Sequence, residues 1–405
     1  MIKIIRHVLK ISSFKKQIGQ SKIVLNKLRI LGFGLTLFYW VNPVHALGTY
    51  TLKEISLVPT AISNNDKIIG SRYYLYDITT GVRTDIRTLA NGKNFSQVND
   101  VNNSLEMVGL NYAQAYELSP DGIGYILRLP NDIYSSAYSV NEIGDIVGYS
   151  APSNTTCIVH GLYANSNATI LRDLGSLGGI RTYAYDINDK NQIVGQSSIN
   201  SATDCKITTF YHAFITTDIG LKDLHSSTMG GNLSTAYKIN NNSQVVGDFA
   251  NGLVTQTKSS YYPQGYPIRH AVLWNIVSNT YTDLGNGSKD SSLRAINAFG
   301  QFVGYERTYS NNSFTTMPSV SSQYGVVGDM GTPKIVYLNS LITNLPVGWS
   351  VNNAIDINNS GKIVGTAKDS KGYTHGILLT PTTPISLAAK NKVTSLSIKR
   401  VVPIK

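Results

Sequence analysis

One short motif returns along almost the whole chain. Its clearest copy is Ala184–Gly195, which reads Ala-Tyr-Asp-Ile-Asn-Asp-Lys-Asn-Gln-Ile-Val-Gly, and a weaker first copy begins at Ala61. The copies end at Gly70, Gly109, Gly148, Gly195, Gly247, Gly304 and Gly365. Subtracting neighbouring numbers gives intervals of 39, 39, 47, 52, 57 and 61 residues. Periods of this size are typical of solenoids, propellers and other repeat arrays.

Each copy predicts two short strands, a and b, joined by a tight turn. Asp186, Ile187 and Asn188 alternate, so Ile187 faces away from the two polar residues. The Asn-x-x-Gly or Asn-x-x-Asn segment that follows favours an Asx turn. The Gln-Ile-Val-Gly run is short, β-branched and apolar, which is typical of a half-buried strand.

Two further blocks lie between the copies and predict strands c and d. A block like His-Ala-Phe begins at His160, His212, His270 and His375. A block like Asp-Leu-Gly begins at Asp173, Asp223 and Asp283. The full unit therefore has four short strands, and units of this size pack around one axis as the blades of a β-propeller. The predicted fold is all-β.

Seven blades are predicted, with eight as the alternative. The alternative rests on Val320–Gly328, which looks like a degenerate extra copy of the motif. The last unit, Ala354–Leu379, has strands a, b and c but no d, while Tyr50–Leu57 is an orphan strand in the d register. Pairing these two would close the ring and remove two sheet edges.

The combined motifs resemble the HAF-repeat family of bacterial exported proteins. The resemblance rests on the spacing of Asp173–Gly179, Ala184–Asn188, Gln192–Gly195 and His212–Phe214, and it covers about residues 50 to 380. It implies a β-propeller-like, extracytoplasmic repeat protein of unassigned activity and brings no catalytic residues with it. Some family members end in a Pro-Glu-Pro sorting tail, which this sequence lacks.

The two ends of the chain differ from the repeats. Residues 1–46 contain eight Lys or Arg and no acidic residue, and the apolar run Ile30–Val41 precedes a small-x-Ala end at Ala46. This pattern predicts a secretory signal peptide over residues 1–46. The apolar run is shorter than the roughly 20 residues of a membrane span, so no stable span is expected after cleavage; an uncleaved anchor is the alternative. The protein is expected to be periplasmic, outer-surface or secreted, with a propeller over 47–380 and a basic tail over 381–405.

The net charge of +11 comes from those ends. Residues 47–384 hold 22 basic and 24 acidic residues, a net charge of −2. Binding to nucleic acid requires a basic face on the folded domain. The charge distribution therefore argues against a nucleic-acid partner.

The repeated histidines and acidic turns are candidate metal ligands. His160, His212, His270 and His375 occupy one repeat position on four blades, where they could converge on a metal. A structural role, in which each ring satisfies a backbone group, is favoured. The Asp-x-Asn segments resemble the start of a calcium loop, but the distant Glu is absent and Asx turns explain them. No metal or cofactor is predicted.

The b–c loops are candidate interaction sites. Cys157 and Cys205, the only cysteines, precede strand c in adjacent units and could form a disulfide in an oxidising compartment; two free thiols are the alternative. One inserted loop contains Tyr261, Tyr262 and Tyr266. These tyrosines could stack on sugars or contact a protein partner, or pack on their own blade.

The sequence contains no catalytic motif: neither a Gly-x-Ser-x-Gly elbow nor a His-Glu-x-x-His pair occurs. The favoured function is an exported, monomeric binding module that contacts a glycan or a protein through the inserted b–c loops. The first alternative is a polysaccharide hydrolase or lyase with carboxylates at the propeller channel. The second is a structural envelope protein. No catalytic residue can be named.

Overall fold

The structure, a computed structural model, describes residues 47–89, 95–153, 157–200, 210–255, 265–310 and 318–383. In these residues the strands form seven four-stranded antiparallel sheets, and each sheet packs against its neighbours in a ring. The predicted all-β propeller with seven blades is confirmed. In each blade, strand a lines the central axis and strand d lies at the rim. The predicted signal peptide at 1–46 lies outside the described residues.

The strands follow the chain order. The chain begins with β1 (Tyr50–Ile55), which belongs to the last blade. Blade 1 contains β2 (Pro59–Ile62), β3 (Lys67–Gly70), β4 (Tyr74–Asp77) and β5 (Arg83–Asp85). Blade 2 contains β6 (Gln97–Val101), β7 (Met107–Asn111), β8 (Gln114–Leu118) and β9 (Gly124–Leu127). Blade 3 contains β10 (Tyr134–Val140), β11 (Ile146–Ala151), β12 (His160–Ala164) and β13 (Leu171–Asp173). Blade 4 contains β14 (Thr182–Ile187), β15 (Ile193–Ser198), β16 (Tyr211–Thr217) and β17 (Gly220–Asp223).

Blades 5 to 7 complete the ring. Blade 5 contains β18 (Ser234–Ile239), β19 (Gln244–Val254), β20 (Pro267–Asn275) and β21 (Thr280–Asp283). Blade 6 contains β22 (Asp290–Ile296), β23 (Gln301–Tyr309), β24 (Val320–Asp329) and β25 (Thr332–Tyr337). Blade 7 contains β26 (Ser350–Ile357), β27 (Ile363–Lys368) and β28 (Thr374–Pro381), with β1 as its outer strand. Short 3₁₀ turns occur at Ile86–Thr88, Ser166–Ala168 and Leu338–Ser340.

The ring is closed by pairing the two ends of the propeller. Strand β1 pairs antiparallel with β28 from Tyr50 opposite Pro381 to Ile55 opposite Gly376. The side chains of Tyr50 and Ile55 are buried, and the Tyr50 amide donates to the carbonyl of Leu341 at 2.8 Å. The predicted closure by the N-terminal strand is therefore confirmed. The alternative of eight blades rested on the segment Val320–Gly328. This segment lies within β24, strand c of blade 6.

A β-bulge interrupts strand a of every blade at the same repeat position. In blade 4 the a–b register shifts between Ala184 and Asp186, so Tyr185 is the extra residue. The bulged residues are Thr60, Asn99, Tyr138, Tyr185, Tyr237, Arg294 and Ile355. A Cβ atom at Gly195, the last residue of the motif, would overlap the carbonyl oxygen of Tyr183. The bulge brings backbone so close to strand b that only glycine fits there.

The motif asparagines connect neighbouring blades in a ring of hydrogen bonds. The Nδ2 group of each asparagine donates to the backbone carbonyl of the equivalent residue one blade further on, at 3.0 to 3.2 Å. The donors are Asn102, Asn141, Asn188, Asn240, Asn297 and Asn358. Blade 1 has Ser63 at this position, and Asn65 instead donates to the carbonyl of Asn103 at 2.7 Å. These bonds satisfy buried polar groups that would otherwise destabilise the centre of the propeller.

Apolar side chains fill the space between blades. Between blades 4 and 5, for example, Val194 of strand b packs with Ala236, Val245 and Phe249 of the next blade, and all four are at most 3% exposed. Neighbouring blades thus bury their faces against each other, which no single blade can do alone. Within the described ranges, no helix has the length and apolar character needed to cross a membrane.

The two ends of the propeller differ in their connections. The a–b and c–d turns leave one end, which we call the turn face; the b–c and d–a loops leave the other end, the loop face. The b–c connections of blades 5 and 6 are less irregular than the sequence predicted. Strand β19 continues to Val254 and β23 to Tyr309, so much of each insertion is a long b–c hairpin rather than a free loop.

The buried carboxyl of Glu117 makes stability depend on pH. Glu117 lies on β8, is 3% exposed, and its Oε2 finds no hydrogen-bond partner among the described residues. Burial, with a smaller contribution from the charge of Glu106, raises the pKa of Glu117 to about 7. Folding therefore favours the protonated acid, and the free energy of unfolding falls as the pH rises from about 4.5 to about 7.

We expect Glu117→Gln to remove this dependence, because the amide has the shape of the protonated acid but does not ionise. The variant should exceed the parent in the free energy of unfolding by up to about 3 kcal/mol at pH 8 and match it near pH 4.5. Urea unfolding at both pH values measures the difference. The control is Asp218→Asn on an exposed turn, and an equal gain for Glu117→Gln at both pH values would contradict the assignment.

Candidate binding site at the centre of the propeller

Seven side chains meet at the axis, one from strand a of each blade. They follow the bulge directly and are Ala61, Asp100, Ser139, Asp186, Lys238, Ala295 and Asp356. The Nζ atom of Lys238 lies 3.0 Å from Asp186 Oδ1 and 3.6 Å from Asp100 Oδ2. We call this cluster the floor, because Asp100, Lys238 and Asp356 separate a cavity of about 270 Å³ towards the loop face from one of about 170 Å³ towards the turn face.

The floor carboxylates are held by backbone amides of the following blade. Asp186 Oδ2 accepts from the Ile239 amide at 2.7 Å, Asp356 Oδ2 accepts from the Ile62 amide at 2.9 Å, and Asp100 Oδ2 accepts from the Val140 amide at 3.3 Å. Such bonds favour the ionised form, whereas burial opposes it. For Asp356 burial dominates and raises the pKa to about 6. The repeated Asp thus links adjacent blades as the asparagines do.

Ser139 bridges two carboxylates of the floor. Its hydroxyl lies 2.7 Å from Asp100 Oδ2 and 2.7 Å from Asp186 Oδ1. A serine hydroxyl has one proton and can donate to one of these oxygens only. Burial raises the pKa of Asp186, and the charge of Lys238 partly offsets this effect.

Above the floor, towards the loop face, lies the larger cavity, which we call the chamber. Five of its lining residues are bulged residues of strand a: Thr60, Asn99, Tyr138, Arg294 and Ile355. The bulge is the reason that they point inward. It places two consecutive residues of strand a, the bulged residue and the floor residue, on the same side of the strand. Tyr305 and Asn353 complete the wall nearer the loop face.

A band of stacked side chains extends from the chamber wall over blades 3 to 6. The ring centroids of Tyr138 and Tyr185 are 5.4 Å apart, and those of Tyr185 and Tyr237 are 5.7 Å apart. The guanidinium of Arg294 lies 4.1 Å from the centroid of the Tyr237 ring. Four consecutive bulged residues are therefore in contact, three aromatic rings followed by one cation.

A second row of tyrosines lies nearer the loop face. Tyr183 contacts Tyr149 and Tyr211 with centroid distances of 5.5 and 6.2 Å. Burial raises the pKa of Tyr183 to about 12, so its hydroxyl stays protonated at neutral pH and can donate hydrogen bonds. We call the two rows together the tyrosine band; its members are Tyr138, Tyr149, Tyr183, Tyr185, Tyr211 and Tyr237.

Two further arginines, on blades 5 and 6, are held by ion pairs. Arg269 pairs with Asp248, which is 2% exposed in its side chain, and Arg307 Nε lies 2.7 Å from Asp290 Oδ2. Arg307 also lies 5.1 Å from the ring centroids of both Tyr305 and Tyr309. Aromatic faces together with fixed hydrogen-bond donors and acceptors are suited to a polar ligand with flat apolar faces.

The four repeated histidines lie on strand c, away from the axis. His212 Nδ1 is 2.7 Å from Asp223 Oδ2, His270 Nδ1 is 2.9 Å from Asp283 Oδ2, and His375 Nδ1 is 2.8 Å from Glu54 Oε1. In blade 3, by contrast, His160 Nδ1 lies 3.0 Å from Asp132 Oδ2. Each of the four has a carboxylate partner, and His270 Nε2 also lies 2.9 Å from the carbonyl oxygen of Gly287, a backbone group of the kind expected from the sequence. Within the described residues, no group of three or more His, Cys, Asp or Glu is arranged to hold a metal.

The Asp-x-Asn segments form Asx turns. Asn188 Oδ1 accepts from the amides of Lys190 and Gln192, each at 3.0 Å, while its Nδ2 contacts Asn240 of the next blade. The repeated Asp of strand d acts in a similar way, because Asp283 Oδ1 accepts from the Gly285 amide at 2.8 Å. Hydrogen bonds within the fold thus account for both polar motifs.

The predicted loop sites are only partly described. Tyr266 closes the long hairpin of blade 5, where the Thr255 amide donates to its carbonyl at 2.8 Å. Tyr261 and Tyr262 lie outside the described residues. Cys157 is 7% exposed and disulfide-bonded. Its predicted partner, Cys205, also lies outside the described residues, so the pairing of these two cysteines stays a prediction. The sequence patterns did not indicate the tyrosine band, although aligning the copies shows Tyr138, Tyr185 and Tyr237 at one repeat position.

Solved structures with a similar fold include several propellers. The propeller domain of the trilobed protease from Pyrococcus furiosus has 9% identity and a TM-score of 0.46, covering 86% of this chain and 99% of that one. Oligogalacturonate lyase from Vibrio parahaemolyticus has 9% identity and a TM-score of 0.43, covering 82% and 91%. A putative TolB from Agrobacterium tumefaciens has 7% identity and a TM-score of 0.41, covering 68% and 86%.

Neither a family model nor a curated protein matches the chain. The resemblance to the HAF-repeat family is therefore not confirmed. The similarity to solved structures concerns the fold alone. On the pairing and order of its own strands, the chain is a seven-bladed β-propeller.

Proposed function

We propose that this protein is an exported glycan-binding module and that the tyrosine band at the loop-face end of the channel forms its binding surface. The observation that supports this proposal most is the contact series from Tyr138 through Tyr185 to Tyr237. Tyrosine offers a flat apolar face for the C–H side of a sugar ring and a hydroxyl for hydrogen bonds. Export is proposed from the basic and apolar pattern of residues 1–46.

The proposed surface differs from the one suggested by sequence. The inserted loop with Tyr261, Tyr262 and Tyr266 belongs to blade 5 and leaves the same face. The band lies nearer the axis, on blades 3 to 5, and its rings are held in place by contacts with each other. Rings that are ordered before binding lose less conformational entropy when a ligand stacks on them.

Two matched triple variants distinguish the two surfaces. In the first, Tyr149, Tyr183 and Tyr211 are changed to Ala; in the second, Tyr261, Tyr262 and Tyr266 are changed to Ala. If each stacked ring contributes about 1 kcal/mol, the first variant should bind a glycan about 100-fold more weakly. We expect a change below about threefold for the second. A glycan array on the full chain followed by calorimetry on the best ligand measures both effects.

Thermal unfolding of both variants shows whether a loss of binding reflects a loss of fold. Binding that is retained in the first variant and lost in the second would place the site on the inserted loop. Capture of a protein by the same face, with no glycan bound in the array, would contradict the glycan proposal and support a protein partner.

An enzymatic role would use the carboxylates at the channel. Asp100, Asp186 and Asp356 lie there, but each already accepts at least one backbone amide of the next blade. Their positions are explained by the connection between blades. Incubating the bound glycan with the protein and measuring new chain ends would detect cleavage, and any turnover would revive the hydrolase or lyase alternative.

A further inference from the structure

The chamber has the size and the closed end of a site for one terminal sugar. Its volume of about 270 Å³ corresponds to roughly nine water molecules at about 30 Å³ each. The floor closes it towards the turn face, because Ser139 and Lys238 both contact Asp186 across the axis. A continuous polymer chain could not pass this floor. A ligand that enters from the loop face must therefore end there.

One cation in the chamber forms no ion pair within the described residues, and Asp248, the carboxylate whose charge acts on it, is paired with Arg269. Within the described residues, Arg269 and Arg307 pair with Asp248 and Asp290, whereas Arg294 forms no ion pair. The Arg294 side chain lies 4.1 Å from the Tyr237 ring centroid and 5.3 Å from that of Tyr305, and its Nη2 donates to the Tyr305 hydroxyl at 3.2 Å. The two tyrosines thus fix the plane of the guanidinium without neutralising its charge.

The remaining polar groups show which ligand chemistry fits. A guanidinium presents parallel N–H donors that match a carboxylate in geometry. The floor carboxylates do not supply that partner, because their oxygens accept backbone amides, Ser139 or Lys238. Asn353 also lines the chamber, and its Oδ1 has no hydrogen-bond partner among the described residues. A rotation of this amide would let it accept from a ligand hydroxyl.

On the basis of the proposed function, we propose that the chamber binds the terminal residue of an acidic glycan, a sugar whose carboxylate pairs with Arg294. The tyrosine band then stacks on the next sugars along the chain as they leave towards the loop face. Arg294 is a specificity-determining residue, and the tyrosines supply affinity that does not depend on charge. The protein would thus select chain ends that carry a carboxylate.

Three trisaccharide probes test the charge: a hexuronate trimer such as trimannuronate, its methyl ester, and the neutral trimer mannotriose. We expect the full chain to bind the acid about 10- to 100-fold more tightly than the ester, since one charge-assisted bidentate contact is at stake. Arg294→Gln should remove this preference and leave the affinity for the neutral trimer within about threefold. Arg294→Lys, which keeps the charge but not the paired donors, should retain part of it.

Arg172→Gln serves as the matched control, because Arg172 lies on the rim strand of blade 3 and is exposed. It should change no affinity. Equal binding of acid and ester by the parent chain, with binding still lost in the Tyr149, Tyr183 and Tyr211 variant, would overturn the acidic-sugar inference and leave the proposed function intact. No binding of any trimer would contradict both.

A long polymer tests end recognition independently of charge. Calorimetry with polymannuronate of about 50 residues should give about one bound protein per recognised chain end, whatever the length of the polymer. Stoichiometry that rises in proportion to polymer length would show binding along the chain and would overturn the closed-end part of the inference.

Discussion

Deletion of residues 50–57 is expected to leave no folded monomer. The deletion removes β1 and with it the buried side chains of Tyr50, Ile55 and Leu57, which are 2 to 5% exposed. Losing a large core side chain costs about 2–5 kcal/mol, so three of them approach the whole free energy of unfolding of a typical domain, about 5–15 kcal/mol. The free edge of β28 would also be open to pairing with other chains. Near-ultraviolet circular dichroism and size-exclusion chromatography measure the result.

A strand supplied in trans provides the sharpest check on this expectation. A synthetic peptide with the sequence of residues 47–57 should pair with β28 and restore part of the folded signal, because an open sheet edge accepts an added strand. Thr51→Ala in the full chain is the control, since Thr51 is exposed on β1, and it should change the free energy of unfolding by less than about 0.5 kcal/mol. A deletion variant that unfolds at the parent's urea midpoint would contradict the role of β1.

The second large effect is expected for Lys238→Met. Methionine keeps most of the length of the side chain but removes the cation that faces Asp100, Asp186 and Asp356. Burial by itself lowers the pKa of Lys238, yet these three carboxylates more than offset it and the net shift is upward. Removing one partner of a buried ionic cluster typically costs about 3–5 kcal/mol. Since the Lys238 side chain is 29% exposed to the channel, we expect about 3 kcal/mol at pH 8.

The loss should shrink as the pH falls. Burial raises the pKa of Asp356 to about 6 and also raises the pKa of Asp186 even with Lys238 present. Without the lysine both carboxyls take up protons more readily, so the repulsion in the variant is relieved below about pH 6. Urea unfolding at pH 5 and pH 8 should therefore show a smaller difference from the parent at pH 5. The control is Lys190→Met on an exposed a–b turn; an equal loss at both pH values would contradict the electrostatic explanation.

Much of the fold follows from the sequence because each repeat contains a local sequence pattern that predicts its strands. The motif spacing, the order of the four strands and the orphan strand at Tyr50–Leu57 predicted seven blades and the closure onto β28, and the structure confirms both. The lengths of the b–c connections were less predictable. Whether an insertion continues as paired strands, as in β19 and β23, depends on contacts across the hairpin rather than on local pattern.

The candidate site was missed because of one irregularity in the backbone. In a regular strand Tyr185 and Asp186 would point to opposite faces. The bulge turns both towards the axis, so Tyr185 lies on the same side of the strand as Asp186, which strict alternation does not predict. The repeated asparagine, for example Asn188, also shows which contacts a local sequence pattern can predict. Its Asx turn is local and was predictable, whereas its bond to Asn240 of the next blade depends on the closed ring.

The repeated bulge separates the scaffold of this protein from its recognition surface. The fold depends on the asparagine ring, on the glycine opposite each bulge and on the strand pairing. The residues that make these contacts are not the bulged residues that line the channel. The bulged residue is tyrosine in blade 4, arginine in blade 6 and threonine in blade 1. Duplicated blades could therefore diverge at this one position, and a new specificity could evolve, or be engineered, by substituting the bulged residues while the floor residues keep linking the blades.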